Sequence, residues 1–234
     1  MNEAKISVII PVLNEERTLA DVLSQLKNVP NLEIIIIDGG SIDNTIEVAH
    51  RFGKNTEVEV QIIEAVRGRA HQMNTGAAVA TGEILLFLHA DTLLPNHFEK
   101  WVRQVLDEPQ VIAGAFELKI TTSVAGTAWV EQGVKWRSHI LQMPYGDQAI
   151  FLKEKTFWEI GGFPKLPLME DFELVRQLRR QGKIAIVPAA VVTSGRRWQK
   201  LGVFRTTLIN QIIIIAYLLG VSPQKLADWY RSKH

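Results

Sequence analysis

Asp91 follows an apolar run, Ile84-Leu85-Leu86-Phe87-Leu88, with only His89 and Ala90 between. The run is too short for a helix and is bounded by Gly82 and Pro95, so it predicts a strand buried on both faces. A buried strand cannot keep an unpaired carboxylate inside. Asp91 is therefore expected just past the strand's carboxyl end, where open α/β sheets place their ligands. Ile34-Ile35-Ile36-Ile37 repeats the plan, ending in Asp38 and the turn Gly39-Gly40-Ser41. Ile6-Ser7-Val8-Ile9-Ile10 does so again, leading through Pro11, Leu13 and Asn14 to Glu15. Three strand ends with acidic or turn-forming residues thus fall on one edge. Arg67 and Arg69 stand at a helix start, where positive charge is unfavourable, and that conflict points to a bound anion. Each residue also has a plainer reading: Asp91 as a turn cap before Pro95, His89 as a structural histidine, Glu170-Asp171 as a helix cap, and Arg196-Arg197 as a surface ion-pair cluster.

The elements that must position these residues follow from periodicity. Pro11 lacks an amide hydrogen and stops the first strand. Asn14 offers a cap, Glu15 and Glu16 suit a helix N-terminus, and Leu19, Val22, Leu23 and Leu26 recur at helical spacing. After Asp38, Ser41 or Asp43 caps a helix faced by Ile46, Ala49 and Phe52. Val58 to Ile63 reads as a third strand, and Arg69 to Ala80 as a helix of small residues able to pack closely on a sheet. Phe98, Trp101, Val102, Val105 and Leu106 mark an amphipathic helix. This alternation predicts an α/β fold with a mostly parallel central sheet and helices on both faces. The second half changes character: a strand over Val111 to Ile120, a helix over Val124 to Ile140, a strand over Gln148 to Leu152, a short helix from Glu170 through Leu178, and a strand from Lys183 to Val187 closed by Pro188.

Composition narrows the function. The 234 residues carry 26 Lys and Arg against 25 Asp and Glu, so no global field attracts nucleic acid. The absence of cysteine removes disulfides, thiolate metal sites and cysteine nucleophiles, leaving oxygen or imidazole to hold any metal. The first turn, Pro11-Val12-Leu13-Asn14-Glu15, is not the glycine-rich turn of a dinucleotide-binding domain, and no P-loop pattern occurs.

Four segments together carry a resemblance: Ser7-Val8-Ile9-Ile10-Pro11-Val12-Leu13-Asn14-Glu15-Glu16, Ile36-Ile37-Asp38-Gly39-Gly40-Ser41-Ile42-Asp43-Asn44-Thr45, Gly68-Arg69-Ala70-His71-Gln72-Met73-Asn74-Thr75-Gly76-Ala77 and Leu88-His89-Ala90-Asp91-Thr92. In this order the chain resembles glycosyltransferase family 2, with the GT-A fold. The resemblance implies a transferase acting on a nucleotide-diphosphate sugar, with a UDP-sugar as the expected donor. Asp38 would accept the uracil imide hydrogen. Pro11, Leu13, Glu15 and the Gly40 turn would surround base and ribose, with Arg67 and Arg69 toward base or diphosphate and Arg196 and Arg197 toward the diphosphate. Asp91 would hold a divalent cation, Mn²⁺ or Mg²⁺, bridging the phosphates. The family's usual Asp-x-Asp is here His89-Ala90-Asp91; His89 would either join Asp91 on the metal or contact the ribose or phosphate.

Pro167-Leu168-Met169-Glu170-Asp171-Phe172-Glu173-Leu174 matches the family's Glu-Asp motif. Asp171 would then be the general base toward an acceptor hydroxyl, with inversion at the anomeric carbon. Tyr145-Gly146-Asp147-Gln148 makes Asp147 the second candidate carboxylate, and Glu170 adjoins the first. The alternatives are a nucleotidyltransferase, which would want a glycine-rich, lysine-bearing loop after the first strand, and a non-catalytic sugar-nucleotide-binding module.

The expected organisation is a transferase domain over residues 1–202, with a nucleotide-sugar half to residue 110 and an acceptor half beyond, followed by an apolar helical tail from 203 to 234. No signal peptide is recognisable, which favours the cytoplasm. Ile212 to Val221 is apolar but well short of the roughly 20 residues that span a bilayer. The tail should bury itself against the domain or a second copy, with contact at the inner face of a membrane as the other option if the acceptor is a lipid.

Overall fold

Burial on both faces of the isoleucine-rich segments shows why they became strands. In the computed structural model, which describes residues 3–121 and 126–232, β1 (Ile6–Val12) sends Ile6, Val8 and Ile10 into one apolar cluster and Ile9 into another. Strands β2 (Leu32–Asp38) and β4 (Ile84–Phe87) divide their side chains in the same way, so all three are buried on both faces. Helices α1 (Leu19–Ser24), α2 (Thr45–Gly53) and α4 (Phe98–Leu106) supply one cluster. The other is built by α3 (Arg69–Val79), α7 (Glu170–Leu178) and α9 (Val203–Leu218).

The sheet runs β3-β2-β1-β4-β7-β6-β8-β5, with β3 (Glu59–Glu64), β5 (Thr92–Leu93), β6 (Val111–Thr121), β7 (Phe151–Lys153) and β8 (Lys183–Ser194) completing it. The first four strands in that order are parallel; β7 is antiparallel to both its neighbours, and β5 is antiparallel to β8. Between them lie α5 (Thr127–Leu141), a 3₁₀ turn at Gly146–Gln148 and α6 (Glu154–Glu159), and after β8 come α8 (Arg196–Leu201), α9 and α10 (Pro223–Ser232).

Three boundaries differ from the sequence reading for physical reasons. Strand β7 begins at Phe151 instead of Gln148, because Gln148 ends the 3₁₀ turn and its side chain is bonded to Arg137, Ser138 and Phe116 O. Helix α1 starts at Leu19, because Asn14 is spent on the neighbouring loop instead of capping its own helix. Strand β8 passes Pro188 and continues to Ser194. The β6 register steps from Phe116↔Val187 to Glu117↔Ala190, so Pro188 and Ala189 form a bulge in which the missing proline amide costs no ladder bond.

The small residues of α3 allow the close approach expected of them. A Cβ on Gly76 would lie 2.5 Å from Ile9 Cγ2. At the sheet edge remote from Asp91, the fully buried Glu33 accepts hydrogen bonds from Ser7 Oγ, from the Thr81 amide at 2.7 Å and from Thr81 Oγ1 at 2.8 Å, and pairs with Lys5 Nζ at 3.0 Å. Burial pushes its carboxyl up, but these donors outweigh burial and hold it below the usual glutamate value. Its contribution to stability is therefore complete above the ordinary glutamate pKa and is lost as pH falls through the depressed folded one. Glu33→Ala strands the Lys5 charge and several donors, and is expected to cost about 3 kcal/mol in denaturant unfolding. The loss should shrink in acid.

Candidate functional site

The first two strand-end loops are stitched to each other. Asn14 accepts from the Ile42 amide at 2.8 Å, Ser41 Oγ accepts from the Asn14 amide at 3.0 Å, and Thr45 Oγ1 accepts from the Glu15 amide at 2.7 Å. Asp38 closes its own turn: its carboxylate takes the Gly40 and Ser41 amides at 3.0 Å and the Ser41 hydroxyl at 2.5 Å. Asp38 is buried and, among the described residues, lines neither cavity described below. Gln72, on the buried side of α3, donates to Val12 O at 2.9 Å and Ile37 O at 2.8 Å. It thereby satisfies two carbonyls where β1 and β2 diverge and fixes the floor of a cleft. The sequence reading gave Gln72 no role; a glutamine on the buried face of a helix of small residues is the signal that would have found it.

The cleft over these strand ends is a cavity of about 370 Å³ walled by Pro11, Leu13, Glu15 and Arg67, with Arg69, His89 and Asp91 at its inner end. Those three residues also border a second cavity of about 370 Å³, floored by Tyr145, Asp147 and Asp171. Its far wall is apolar, from Leu168, Met169 and Phe172, and is completed by the tail through Asn210, Ile213, Ile214 and Tyr230. Two adjoining chambers therefore share one seam of a guanidinium, an imidazole and a carboxylate.

Helix α7 presents Glu170 and Asp171 from its first turn, after Met169 bends the chain with φ at 72°, a left-handed conformation that costs a non-glycine residue of order 1–3 kcal/mol. Asp171 Oδ2 accepts the Gly146 amide at 2.8 Å and Oδ1 accepts the Phe172 amide at 2.7 Å. Glu170, 2% exposed, pairs with Arg69 Nε at 2.8 Å across the seam. Burial drives the Glu170 carboxyl up, with Arg69 opposing and the Asp171 charge reinforcing. Glu170 is thus engaged with Arg69, and Asp171 faces the second chamber. The turn behind Asp171 is held by the buried Gln148, which accepts from Ser138 Oγ at 3.0 Å and Arg137 Nη2 at 3.1 Å and donates to Phe116 O at 2.8 Å. A Cβ on Gly146 would stand 3.1 Å from His89 Nε2 and 3.2 Å from Asp171 Oδ2. Gly146→Ala should displace both by a few tenths of an ångström and lower kcat by roughly tenfold. The melting temperature should barely move.

From the sequence Arg196 could serve either a diphosphate or a surface ion-pair cluster. Its guanidinium bridges Glu15 at 2.9 Å and Asp91 at 3.2 Å, joining α8 to two strand-end loops. Burial works against its charge, but the two carboxylates outweigh that and raise its pKa. It arrives there because β8 runs past Pro188 and because β5, immediately after Asp91, pairs Thr92 with Thr193. Arg197 lies on α8, and its side chain is outside the described residues. Among the described residues, no three His, Asp or Glu side chains converge as a ready-made metal site.

Comparison with known proteins agrees with this fold. A family model described as glycosyl transferase family 2 matches residues 7–162. A UDP-Glc:α-D-GlcNAc-diphosphoundecaprenol β-1,3-glucosyltransferase, WfgD, of Escherichia coli is 24% identical over 253 residues, covering 99% of each chain. Poly-β-1,6-N-acetyl-D-glucosamine synthase of Staphylococcus epidermidis is 38% identical over 93 residues, 39% of this chain and 23% of that one. The chain spans between about a quarter and a half of the first curated relatives it matches. Among solved structures, the mannosyltransferase PcManGT of Pyrobaculum calidifontis, in complex with GDP-Man and Mn²⁺, superposes with a TM-score of 0.66 at 22% identity, over 82% of this chain and 57% of that one. S. aureus TarS 1–349 in complex with UDP-GlcNAc gives 0.65 at 19% identity, over 81% and 58%. The fold is that of the GT-A glycosyltransferases, and the chain belongs to glycosyl transferase family 2.

Proposed function

We propose that the chain transfers a sugar from a nucleotide-diphosphate donor, a UDP-sugar in the first instance, to an acceptor hydroxyl with inversion of the anomeric carbon. The observation that carries this reading is the shared seam: a donor over Pro11, Leu13, Glu15 and Arg67 would bring its diphosphate and anomeric centre to Arg69, His89 and Asp91, facing Asp171 across the boundary. Asp171 then takes the proton of the attacking hydroxyl, with Oδ2 already oriented by the Gly146 amide. Asp147, on the same floor, orients the acceptor, and Glu170 keeps Arg69 aimed at the leaving group. The names of the neighbours, in complex with GDP-Man, UDP or UDP-GlcNAc, support a nucleotide-sugar donor, and WfgD's name supports a UDP-linked one.

The residues fit a divalent cation of a particular kind. Asp91 offers a single carboxylate at the seam, with His89 beside it, which suits an ion that draws most of its ligands from diphosphate oxygens and water. When bound it would neutralise charge growing on the leaving diphosphate. Asp91 would hold it, and Arg196 would give up its contact with that carboxylate. Calorimetric titration with UDP tests the reading: tight binding is expected with Mn²⁺ and weaker binding without. No binding in either condition would overturn the donor site, and equal affinity in both would overturn the metal role.

A further inference from the structure

Helix α9 is apolar over much of its circumference, but only one apolar side is used by the fold. Thr206, Ile209 and Ile213 are buried against the domain. At 100° per residue, Phe204, Leu208, Ile212, Ile215, Leu218 and Leu219 fall on the opposite side as one stripe four turns long, with the uncharged Gln211 as its one polar member. Phe204 is 81% exposed and Leu219 80%, and the four between them range from 43% to 60%. Helix α5, which meets α9 where Gly126 approaches Val203, adds Trp129, 83% exposed, and Trp136. A stripe of this extent on a water-facing helix calls for a cover.

Charge decides which cover. Between residues 198 and 232, past the seam residue Arg196, the sequence holds four Lys and Arg and one Asp, although the whole chain carries a net charge of only +1. Helix α9 contains no acidic residue, and Arg205 flanks the stripe. In an isologous pair the stripe would meet itself, bringing basic flank onto basic flank with no carboxylate on the helix to pair them. An anionic bilayer surface matches both properties at once, apolar depth for the stripe and phosphate for its basic surroundings. No described helix is long and apolar enough to cross a membrane, so the geometry is that of a helix lying in the interface.

We infer that α9, with the tryptophans of α5, docks the protein onto an anionic lipid surface. The inner side of the same helix walls the second chamber through Asn210, Ile213 and Ile214, so docking sets that chamber beside the lipid headgroups. The test is sedimentation of the full chain with vesicles of phosphatidylcholine alone or mixed equally with phosphatidylglycerol, alongside light-scattering mass measurement without lipid. The expected result is a monomer that binds the mixed vesicles at least about tenfold better than the neutral ones, weakening with salt. The double variant Ile212→Glu/Ile215→Glu should lose that binding by tenfold or more and keep its UDP affinity. No binding of the wild-type chain to the mixed vesicles would overturn the inference. So would a wild-type dimer that the double variant dissociates, since the stripe would then be covered by a second copy. UDP titration is read separately, so failure of docking leaves the proposed sugar transfer standing, and the reverse.

Discussion

Asp171→Asn is expected to lower kcat by about a hundred- to ten-thousand-fold, the range of general-base contributions, while the affinity for UDP changes less than about twofold. The position of the carboxylate is the reason. Both oxygens are occupied by backbone donors, Gly146 at 2.8 Å and Phe172 at 2.7 Å, which fix the group while leaving each oxygen a further lone pair for an incoming hydroxyl. Asparagine keeps the shape but cannot take a proton, and its NH₂ must face one of the two donors. That mismatch should also cost roughly 1–3 kcal/mol in unfolding free energy. Steady-state kinetics, UDP calorimetry and thermal unfolding on one preparation separate the possibilities. Loss of UDP affinity together with turnover would make Asp171 a structural residue, and unchanged turnover would remove it from the chemistry.

Asp91→Ala is expected to abolish the advantage that Mn²⁺ gives to UDP binding. It should lower turnover by on the order of a thousandfold, equivalent to the several kcal/mol that a metal ion supplies as a Lewis acid. The alanine variant also releases Arg196 from one of its two carboxylates, leaving Glu15 alone. Metal-free UDP affinity should therefore hold or rise slightly, because the guanidinium is freed toward the diphosphate. A variant that still responds to Mn²⁺ would move the ion elsewhere, and His89→Ala would then identify whether the imidazole carries it.

The first half of the fold was legible because its signals are local. Ile34 to Ile37 and Ile84 to Leu88 can be buried only as central strands, and such strands place Asp38 and Asp91 on one edge. The resemblance added what periodicity does not give: that Asp171, remote in sequence, belongs opposite Asp91. Misreadings arose where tertiary contacts overrode a local rule. Asn14 looks like a cap until Ser41 and Ile42 of the next loop claim it. Pro188 looks like a strand end until a bulge absorbs it, and stopping β8 there left Arg196 without its place beside Asp91. Asp38 shows a different limit: a carboxylate at a strand tip can serve a ligand, its own turn or both, and only the placement of the Gly40 and Ser41 amides shows that the turn takes part of its capacity here.

The bulge in β8 also makes the strand a counter of parity. Pro188 and Ala189 are two residues with no partners on β6, so the alternation of faces before and after them stays in phase. Removing both would shorten the strand without changing which way Thr193 and Ser194 point. Removing one would exchange every face from Ala190 onward, turn Thr193 away from Thr92 and carry the start of α8 off the seam. Paired deletion of Pro188 and Ala189 is thus expected to leave Arg196 on the seam, whereas deletion of one alone is expected to displace it.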